Sequence, residues 1–263
     1  MGMQLTFYKY QGTGNDFIMI DNRSEIFPSG DKEYIAFLCN RRVGIGADGL
    51  ILLENDLETQ FRMVYFNSDG NQSSMCGNGG RCLVAFAKQL GIVEDSAVFN
   101  AIDGRHTATI SDGMKVRLQM QDVDEIRDKM NFTFLNTGSP HHVQIVADLA
   151  AFDVPKEGAK LRYGLYGQRG SNINFVEQNG ADSFKVRTYE RGVEDETLSC
   201  GTGVTAVALA MHYTKKTDAK RVQLHVEGGQ LEVAFEVDET SYKNIFLIGP
   251  TEMVFKGEIE CKS

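Results

Sequence analysis

The sequence contains no long apolar run, no block of like charges and no recognisable export signal. No stretch approaches the roughly 18 apolar residues needed to span a membrane. The N-terminus lacks the basic, then apolar, then small-residue order of a signal peptide, so we expect a cytoplasmic protein. The formal net charge of −9 argues against a nucleic-acid-binding surface. With 42% hydrophobic and 24% charged residues, the composition is that of an ordinary globular protein.

Cysteine is scarce and its spacing excludes two common uses of the residue. The chain has five cysteines, an odd number, and no two of them form a C-x-x-C pair. A zinc site is therefore poorly supported, and a disulfide framework does not suit an acidic chain of 263 residues without an export signal. We expect thiols in a reducing compartment, with Cys39 and Cys82 as small core residues and Cys261 inert. We expect neither a metal ion nor another cofactor.

Two of the cysteines have nearly identical sequence surroundings. Cys76 lies in Met-Cys-Gly-Asn-Gly-Gly and Cys200 in Ser-Cys-Gly-Thr-Gly, and each precedes an apolar, Ala-rich segment. They are 200 − 76 = 124 positions apart, which is close to half the chain. Other positions recur at the same offset, namely Thr13-Gly14 with Thr137-Gly138, Gly46 with Gly170, Val98 with Val222, and Asp103-Gly104 with Glu227-Gly228. An offset of this size indicates two copies of one fold rather than a solenoid of short repeats.

The local pattern predicts many short strands and a few helices. The segments after Cys76 and Cys200 are apolar nearly all round, which indicates helices buried on every side, the first ending at Gly91 and the second covering Val204 to Tyr213. Strands are predicted at 5–8, 17–20, 50–53, 61–66 and 231–237, on both sides of Asp103-Gly104, and in a hairpin at Asp112-Gly113. A further helix starts at Asp31.

These elements predict an α/β (α+β) protein of two pseudo-symmetric lobes. Each lobe is expected to be a curved, mostly antiparallel sheet or barrel around one central helix. The N-terminal lobe covers residues 1–122 and the C-terminal lobe covers residues 123–250. The polar stretch from Asp122 to Met130 is interpreted as the linker between them.

The chemistry of a thiol at a helix start suggests a pair of acid/base groups. A helix N-terminus presents unpaired N–H groups and the positive end of the helix dipole, which favour a thiolate and can bind a carboxylate. Two thiols acting on one substrate would couple, so one thiolate and one thiol form a natural resting state. Such a pair can remove a proton from one face of a carbon and deliver one to the other face.

Several alternatives remain open at this level. A single Cys-Gly at a helix start is more often structural than catalytic, although two in symmetry-related positions reverse that expectation. A papain-like cysteine working with His141 or His142 would leave the other cysteine idle. A metal site using both cysteines and a histidine has no local ligand spacing to support it.

Polar residues flank the two cysteine segments. Asn15 follows Gly-Thr-Gly, Asn67 precedes Ser-Asp-Gly, and each could equally be a turn asparagine. Glu190 and Arg191 follow a strand-like run, where they could form a surface ion pair that contributes little. In the repeat, Glu190 takes the place of Asn67, which indicates that both lie beside the cysteine segments.

Taken together, these stretches closely resemble the diaminopimelate epimerase family. The matching stretches span almost the whole chain in family order; they are Gln11–Phe17, Gly44–Gly49, Phe66–Gly70, Cys76–Arg81, Gly138–His141, Tyr189–Gly192 and Cys200–Gly203. The resemblance implies epimerisation of LL-2,6-diaminopimelate to meso-2,6-diaminopimelate without a cofactor, in lysine and peptidoglycan precursor biosynthesis.

The resemblance also implies roles for individual residues. Cys76 and Cys200 would be the two bases, and His141 and Glu190 would tune them. The reacting carboxylate would be held by Gly77-Asn78 and Gly201-Thr202. The other substrate contacts would come from Asn15, Asn67, Asn172, Glu190 and Arg191.

The family fold, as the resemblance implies it, has two similar halves with the site in the cleft between them. The C-terminal segment 251–263 returns to the N-terminal lobe. The partner is a small-molecule substrate, and a homodimer is expected.

The chain departs from the family pattern at two places. Ser139 stands where many members have Asn, which shortens or removes a substrate contact. The loop 192–199 is one residue longer than the common pattern, which affects the placement of Glu190 relative to Cys200. Neither departure touches the two cysteines.

Three further interpretations compete with the epimerase. A proline or hydroxyproline racemase-type enzyme on the same fold would leave Glu190 and Arg191 without a distal group to bind. A phenazine-biosynthesis-type isomerase also shares the fold but lacks the cysteine pair. A thiol redox sensor would instead use Cys76 and Cys200 to form a regulatory disulfide.

Overall fold

The computed structural model describes residues 3–73, 75–111 and 113–261, without the side chains of residues 3 and 261. The turn position 112 of the predicted hairpin and the thiol of Cys261 lie outside this description. The chain forms two compact units, called unit 1 (Met1–Leu118 with Pro250–Ser263) and unit 2 (Gln119–Gly249). The described residues form seventeen strands and four helices.

Unit 1 is built from eight strands and two helices. Its elements are β1 (Met3–Gly12), β2 (Asn15–Asp21), α1 (Lys32–Cys39), β3 (Gly49–Glu54), β4 (Phe61–Asn67), α2 (Gly77–Gln89), β5 (Ser96–Ala101), β6 (Gly104–Ile110), β7 (Lys115–Gln119) and β17 (Glu252–Cys261). The strands pair in the order β17-β1-β2-β3-β4-β5-β6-β7. The β2–β3 and β4–β5 pairs are parallel and the others antiparallel.

Unit 2 repeats this arrangement. Its elements are β8 (Ile126–Asp128), β9 (Thr133–Asn136), β10 (Pro140–Ile145), α3 (Val154–Gly164), β11 (Asn172–Gln178), β12 (Ser183–Glu190), β13 (Asp195–Thr197), α4 (Gly201–Tyr213), β14 (Arg221–Val226), β15 (Gly229–Asp238) and β16 (Ser241–Pro250). The strands pair in the order β8-β9-β10-β11-β12-β14-β15-β16, with β13 added beside β12. Here the parallel pairs are β10–β11 and β12–β14, as at the corresponding places in unit 1.

The sequence repeat therefore reflects a real duplication of topology, but its register shifts by one residue in the later strands. In unit 1 the β5–β6 turn closes with Ala101 opposite Gly104, and in unit 2 the β14–β15 turn closes with Val226 opposite Gly229. Both closing glycines have positive φ, 119° and 140°. The match of Gly104 to Gly228 is wrong by one position, because the offset here is 125 rather than 124.

Each unit has a buried helix at its centre. In α2 every residue from Gly77 to Ala87 is buried, and in α4 nearly every residue from Gly201 to His212 is buried. Strands β1, β2, β3 and β6 pack around α2, and six strands from β9 to β15 pack around α4. A helix that is apolar on all sides needs such a surrounding sheet to remove it from water. The structure thus confirms the predicted fold class of strands around a central helix in two repeated units.

The remaining helices start at carboxylate caps. Asp31 caps α1 by accepting a hydrogen bond from the backbone of Tyr34, and Asp153 caps α3 in the same way. The first of these starts was predicted and α3 was not. α2 ends at Gln89, and Gly91 has the positive φ of 70° typical of the residue after a helix end.

The polar segment 122–130, interpreted from the sequence as the linker between the lobes, contains regular structure that was not predicted. Ile126–Asp128 forms β8 and pairs with β9, and Val123 forms an isolated bridge with Tyr242. The polar side chains lie on the exposed side of an edge strand, which gives the same composition as a linker. No helix in the described part of the chain has the length and apolar character needed to cross a membrane.

Candidate functional site

Cys76 occupies the N-cap position of α2 in unit 1. Its backbone is extended, with φ −100° and ψ 126°, and its side chain makes no capping hydrogen bond. The partly buried thiol donates to Asn15 Oδ1 at 3.6 Å, and Asn78 Nδ2 donates to the same oxygen at 3.3 Å. The structure therefore brings together Cys76, Asn15 and Asn78, three of the residues predicted for the site.

A tight turn places Asn15 beside the helix start. Gly12 and Asn15 pair at the end of the β1–β2 hairpin, and the two turn residues, Thr13 and Gly14, have positive φ of 53° and 83°. Asn15 Nδ2 donates to Asp48 Oδ2 at 2.6 Å, which leaves its oxygen directed at Cys76 and Asn78. Asp48 thus fixes the orientation of the Asn15 amide.

Asp48 belongs to a charged network on the same side of unit 1. Arg41 forms ion pairs with Asp48 at 2.7 Å and with Asp16 at 2.6 Å, and Lys9 pairs with Asp16 at 2.8 Å. Burial alone would raise the pKa of Asp16, but hydrogen bonds from Arg41 and Lys9 outweigh it and lower the pKa to about 2. Asp16 therefore stays ionised at neutral pH.

Asn67 lies at the last position of β4, opposite Gly49 in β3. Its carbonyl accepts from the Gly70 backbone at 2.9 Å, so the residue opens a tight turn, while its side chain is exposed. Its strand partner, Gly49, follows Asp48 directly. The predicted turn role and the predicted substrate role are therefore compatible, since a turn residue can keep an exposed amide.

In unit 2, Cys200 occupies the N-cap position of α4. Its backbone is again extended, with φ −121° and ψ 110°, and again the side chain makes no capping hydrogen bond. The residue is 8% exposed, and its sulfur lies 3.5 Å from Thr202 Oγ1. Thr202 Oγ1 also lies 3.0 Å from His141 Nε2, so His141 reaches Cys200 through one hydroxyl group. The structure thus brings together Cys200, Thr202 and His141, three of the residues named for the site.

Burial holds His141 in its neutral form. The side chain is fully buried, and desolvation, with a smaller contribution from the positive charge of Arg191, lowers the pKa of His141 to about 3. Its Nδ1 lies 3.2 Å from Asn174 Nδ2, and Thr188 donates to Asn174 Oδ1 at 3.0 Å. Because an amide NH₂ is a donor, Nδ1 is the acceptor and Nε2 carries the proton.

The helix start of α4 tolerates no side chain at its third residue. A Cβ added to Gly203 would lie 2.5 Å from Asn174 Oδ1 and 3.3 Å from Cys200 Sγ. Gly203 is therefore required by close packing of the helix against β11. This explains the Cys-Gly-Thr-Gly pattern without any need for a left-handed backbone.

A second polar group in unit 2 contains Asn172, Ser139 and Arg191. Asn172 Nδ2 donates to Ser139 Oγ at 3.0 Å, and Asn172 Oδ1 accepts from the Arg191 backbone at 2.8 Å. Arg191 Nη2 donates to Ser139 Oγ at 3.5 Å, and the arginine side chain is exposed. The hydroxyl of Ser139 therefore occupies part of the space between an amide and a guanidinium group.

Glu190 is the last residue of β12, as Asn67 is the last residue of β4. Thr197 Oγ1 donates to Glu190 Oε2 at 3.0 Å. The longer loop 192–199 contains β13, which pairs with the end of β12, and a positive φ of 58° at Glu194. The extra residue is thus absorbed in an ordered hairpin, and Glu190 keeps the strand-end position that the repeat predicts.

The sequence analysis missed several residues that complete the two groups. Asn174 follows Asn172 at the alternating spacing of a strand, and this polar pair in an apolar run was a usable signal. Arg81 is a charged residue inside an otherwise apolar helix, and Asp48 lies inside a stretch already singled out. Among the described residues, no group of three or more His, Cys, Asp or Glu side chains is arranged to hold a metal ion.

Comparisons with known proteins agree with this architecture. The family model described as diaminopimelate epimerase matches residues 7–125 and 133–254. A diaminopimelate epimerase of Flavobacterium psychrophilum is 61% identical over 256 residues, covering 97% of this chain and all of the relative. One from Chlorobaculum tepidum is 42% identical over 260 residues, covering 94% of this chain and 98% of the relative.

Solved structures share the fold at low sequence identity. A Bacillus anthracis phenazine biosynthesis protein of the PhzF family aligns with a TM-score of 0.79 at 12% identity, covering 98% of this chain and all of that one. A hydroxyproline epimerase from Agrobacterium vitis aligns with a TM-score of 0.74 at 15% identity, covering all of this chain and 95% of that one. These likenesses concern the fold alone. The match of the family model over most of the chain, together with the relatives of 61% and 42% identity, shows that the chain belongs to the diaminopimelate epimerase family.

Proposed function

We propose that this protein converts LL-2,6-diaminopimelate to meso-2,6-diaminopimelate with two cysteines and no cofactor, in lysine and peptidoglycan precursor biosynthesis. Membership of the family supports the reaction. The observation that carries the two-base chemistry is the matched position of Cys76 and Cys200, each at the N-cap of a helix that is buried over most of its length and each without a capping hydrogen bond.

The proposed reaction inverts one α-carbon by two proton transfers. One sulfur, as thiolate, takes the α-hydrogen from one face, and the C–H electrons remain on the substrate as a carbanion conjugated with its carboxylate. The other sulfur, as thiol, gives its proton to the opposite face. The sum of charges is unchanged, the two sulfurs exchange protonation states, and no redox step or leaving group is involved.

The two helix starts are suited to bind the reacting carboxylate. Gly77-Asn78 and Gly201-Thr202 follow the cysteines, and the first N–H groups of a helix have no partner within the helix. Negative charge that develops on the carboxylate during deprotonation would be stabilised by these donors and by the helix dipoles.

The distal amino-acid group of the substrate needs both acceptors and donors. We assign this to Asn15, Asn67, Asn172, Glu190 and Arg191. Arg191 can contact a carboxylate through two parallel hydrogen bonds, and Glu190 and the asparagine oxygens can accept from an ammonium group. A substrate without a distal carboxylate, such as proline, would leave these groups unused.

His141 and Glu190 are proposed to tune the thiols. His141 would act on Cys200 as a neutral hydrogen-bond partner through Thr202, since burial lowers the pKa of His141 to about 3.

We also propose that the lobes correspond to residues 1–122 with 251–263 and to residues 123–250. The protein is proposed to work in the cytoplasm as a homodimer, which size-exclusion chromatography with light scattering would test.

The experiment that tests the function follows LL-diaminopimelate in deuterium oxide with the reduced protein. We expect α-deuterium uptake together with formation of the meso isomer in the wild type. The Cys76→Ala and Cys200→Ala variants should each lose epimerisation by several orders of magnitude. Cys39→Ala is the matched control, because Cys39 is a buried thiol of α1 in the core of unit 1, and it should retain activity.

Three outcomes would contradict the proposal. Sustained turnover by either alanine variant would rule out the two-base scheme. Racemisation of proline or hydroxyproline, without activity on diaminopimelate, would favour the racemase reading. A reductant-dependent change in the binding of another protein, with no epimerisation of any amino acid, would favour a redox sensor.

A further inference from the structure

Unit 1 contains a buried cation directly behind the helix start that carries Cys76. Arg81 lies on α2, five residues after Cys76, and its side chain has no exposed surface. Burial lowers the pKa of Arg81 to about 10, so the guanidinium still carries its charge at neutral pH. A buried charge needs a compensating interaction, because transfer out of water strongly disfavours it.

The hydrogen bonds of Arg81 supply only part of that compensation. Its Nη2 donates to Asn78 Oδ1 at 2.6 Å and to Thr13 Oγ1 at 3.3 Å, and its Nη1 donates to the carbonyl of Pro250 at 3.1 Å. All three acceptors are neutral. Its Nε has no hydrogen-bond partner among the residues that the structure describes, and none of the described carboxylates forms an ion pair with it.

The other titratable groups around Cys76 leave this positive charge unbalanced. Cys82, next to Arg81, is an uncharged thiol because burial raises the pKa of Cys82 to about 12. Tyr10 on β1, which interacts with Cys82, is likewise held neutral, since burial raises the pKa of Tyr10. Asn15 connects Cys76 to Asp48 and its neighbour Asp16. The negative charges of these two carboxylates are balanced by the cations Lys9 and Arg41.

We propose that Arg81 is a positioning residue that makes Cys76, rather than Cys200, the thiolate of the resting pair. It does so in two ways. Its charge favours a negative sulfur at the N-cap, and its bond to Asn78 Oδ1 directs the Asn78 NH₂ group toward Asn15 and the site. The inference deepens the proposed function and rests on it for the role of the two sulfurs.

The corresponding place in unit 2 carries no charge. At the offset of the two cysteines, Arg81 corresponds to Thr205, whose hydroxyl donates to the carbonyl of Gly201 at 2.9 Å. The titratable partner that reaches Cys200 through Thr202 is His141, which is neutral over the working range. Arg191 also contributes a positive charge near His141, but its side chain is exposed and therefore screened by water. The duplicated fold thus places a buried positive charge behind Cys76 and a neutral residue at the matching place behind Cys200.

The test measures thiol alkylation in the full-length, substrate-free protein. Wild type, Arg81→Gln and Arg81→Lys are treated with iodoacetamide from pH 5 to 10, and the rate at each cysteine is followed by peptide mass spectrometry. The midpoint of each rate-against-pH curve reports thiolate formation independently of how accessible each sulfur is. In the wild type we expect a lower midpoint at Cys76 than at Cys200.

Loss of the charge should move one midpoint only. In Arg81→Gln the midpoint at Cys76 should rise by about one pH unit, the size expected for the loss of one neighbouring opposite charge, while Cys200 is unaffected. Arg81→Lys should restore part of the shift, and Thr205→Val, at the matching place in unit 2, should leave the Cys76 midpoint unchanged. The pH profile of kcat for the direction that begins with Cys76 as base should move with the alkylation midpoint.

Two results would overturn the inference. The first is a wild-type midpoint at Cys200 equal to or below that at Cys76, which decides the matter even if no Arg81 variant folds. The second is a folded Arg81→Gln protein, with native circular dichroism, whose Cys76 midpoint is unchanged. Because alkylation needs no substrate, the expected midpoints without epimerase activity would refute the proposed function and leave the electrostatic inference standing.

Discussion

At the scale of single residues, the two helix starts depend on glycines whose missing side chains make room for polar contacts. Gly203→Ala would drive a methyl group to within 2.5 Å of Asn174 Oδ1, and Thr188 holds that oxygen in place. We expect a loss of about 1–3 kcal/mol in the free energy of unfolding from this overpacking and a fall in kcat, because Cys200 must shift. Urea unfolding and the deuterium-uptake assay measure the two effects.

Gly164→Ala is the matched control for the change at Gly203. Gly164 also lies in a helix, at the end of α3, and an added Cβ meets nothing within 4 Å. Alanine is favoured over glycine in a helix by up to about 1 kcal/mol, so this variant should be as stable as the wild type or more so. Equal stability of the two variants would show that close packing at Gly203 is unimportant.

The buried histidines of β10 should make stability depend on pH. Burial lowers the pKa of His142 to about 4 and that of His141 to about 3, whereas both titrate near 6.5 in the unfolded chain. As pH falls below 6.5, the two histidines become protonated in the unfolded chain but stay neutral in the folded protein. The free energy of unfolding therefore decreases. Each histidine contributes a slope that approaches about 1.4 kcal/mol per pH unit.

His142→Gln tests this dependence. The variant should lose stability overall, because His142 stacks on Phe132 and hydrogen-bonds Tyr166, but its slope between pH 5 and 6.5 should be smaller by up to about 1.4 kcal/mol per pH unit. Urea unfolding at half-unit steps in this window gives the slope, above the range in which carboxylates titrate. A slope identical to that of the wild type would mean that His142 binds a proton in the folded protein as readily as in the unfolded chain.

At the scale of elements, the four helices divide by the residue at their N-cap. α1 and α3 begin at aspartates whose side chains accept hydrogen bonds from the helix backbone, whereas α2 and α4 begin at cysteines that form no such bond. Serine is among the best N-cap residues. The N-cap side chains of the two buried helices therefore form no capping hydrogen bond, at the positions where the proposed chemistry needs a sulfur.

Cys76→Ser and Cys200→Ser should each separate stability from activity. We expect the free energy of unfolding to rise by roughly 0.5–1 kcal/mol, because the serine hydroxyl can accept from the first turn. Epimerisation should fall steeply, because a serine hydroxyl is a far weaker acid than a thiol and does not form the anion that acts as the base. Thermal melts and the deuterium assay provide the measurements. Variants that are destabilised despite a native fold would indicate that the cysteines contribute to packing more than to chemistry.

At the scale of the whole molecule, the chain forms unit 1 from its two ends. β17, near the C-terminus, pairs with β1 along its length, and Gly257 faces the ring of Phe7 so closely that an added Cβ would lie 2.5 Å from Cζ. Unit 1 and unit 2 each have a core cluster of their own. A change in β17 should therefore weaken one unit selectively.

Gly257→Val is expected to destabilise unit 1 by about 1–3 kcal/mol through the clash with Phe7. In hydrogen exchange, amides of β1, β2 and α2 should lose protection, while those of α4 and β11 keep theirs and act as an internal reference. Uniform loss of protection across both units would show that they unfold as one cooperative body.

The local sequence was sufficient to predict the duplicated topology and the two helices that begin at cysteines. The periodicity of apolar residues indicates which faces of an element are buried, and the spacing of glycines indicates where two parts of the backbone pack closely. Both signals can be seen within a window of a few residues. The register of β14 and β15 in the repeat was wrong by one residue, because a shift of this size leaves no local trace in the sequence. The strand in segment 122–130 was not predicted, because a polar edge strand has the composition of a linker.

The contacts that define each half of the candidate site came only from the tertiary structure. His141 meets Thr202 across 61 positions, and Arg81 meets Thr13 across 68 and Pro250 across 169. No periodicity encodes which distant side chains meet, since these pairs form only when a sheet closes around its helix and excludes water. The sequence alone determined where the sulfurs lie in the chain, and the folded units decided which charges and amides surround them.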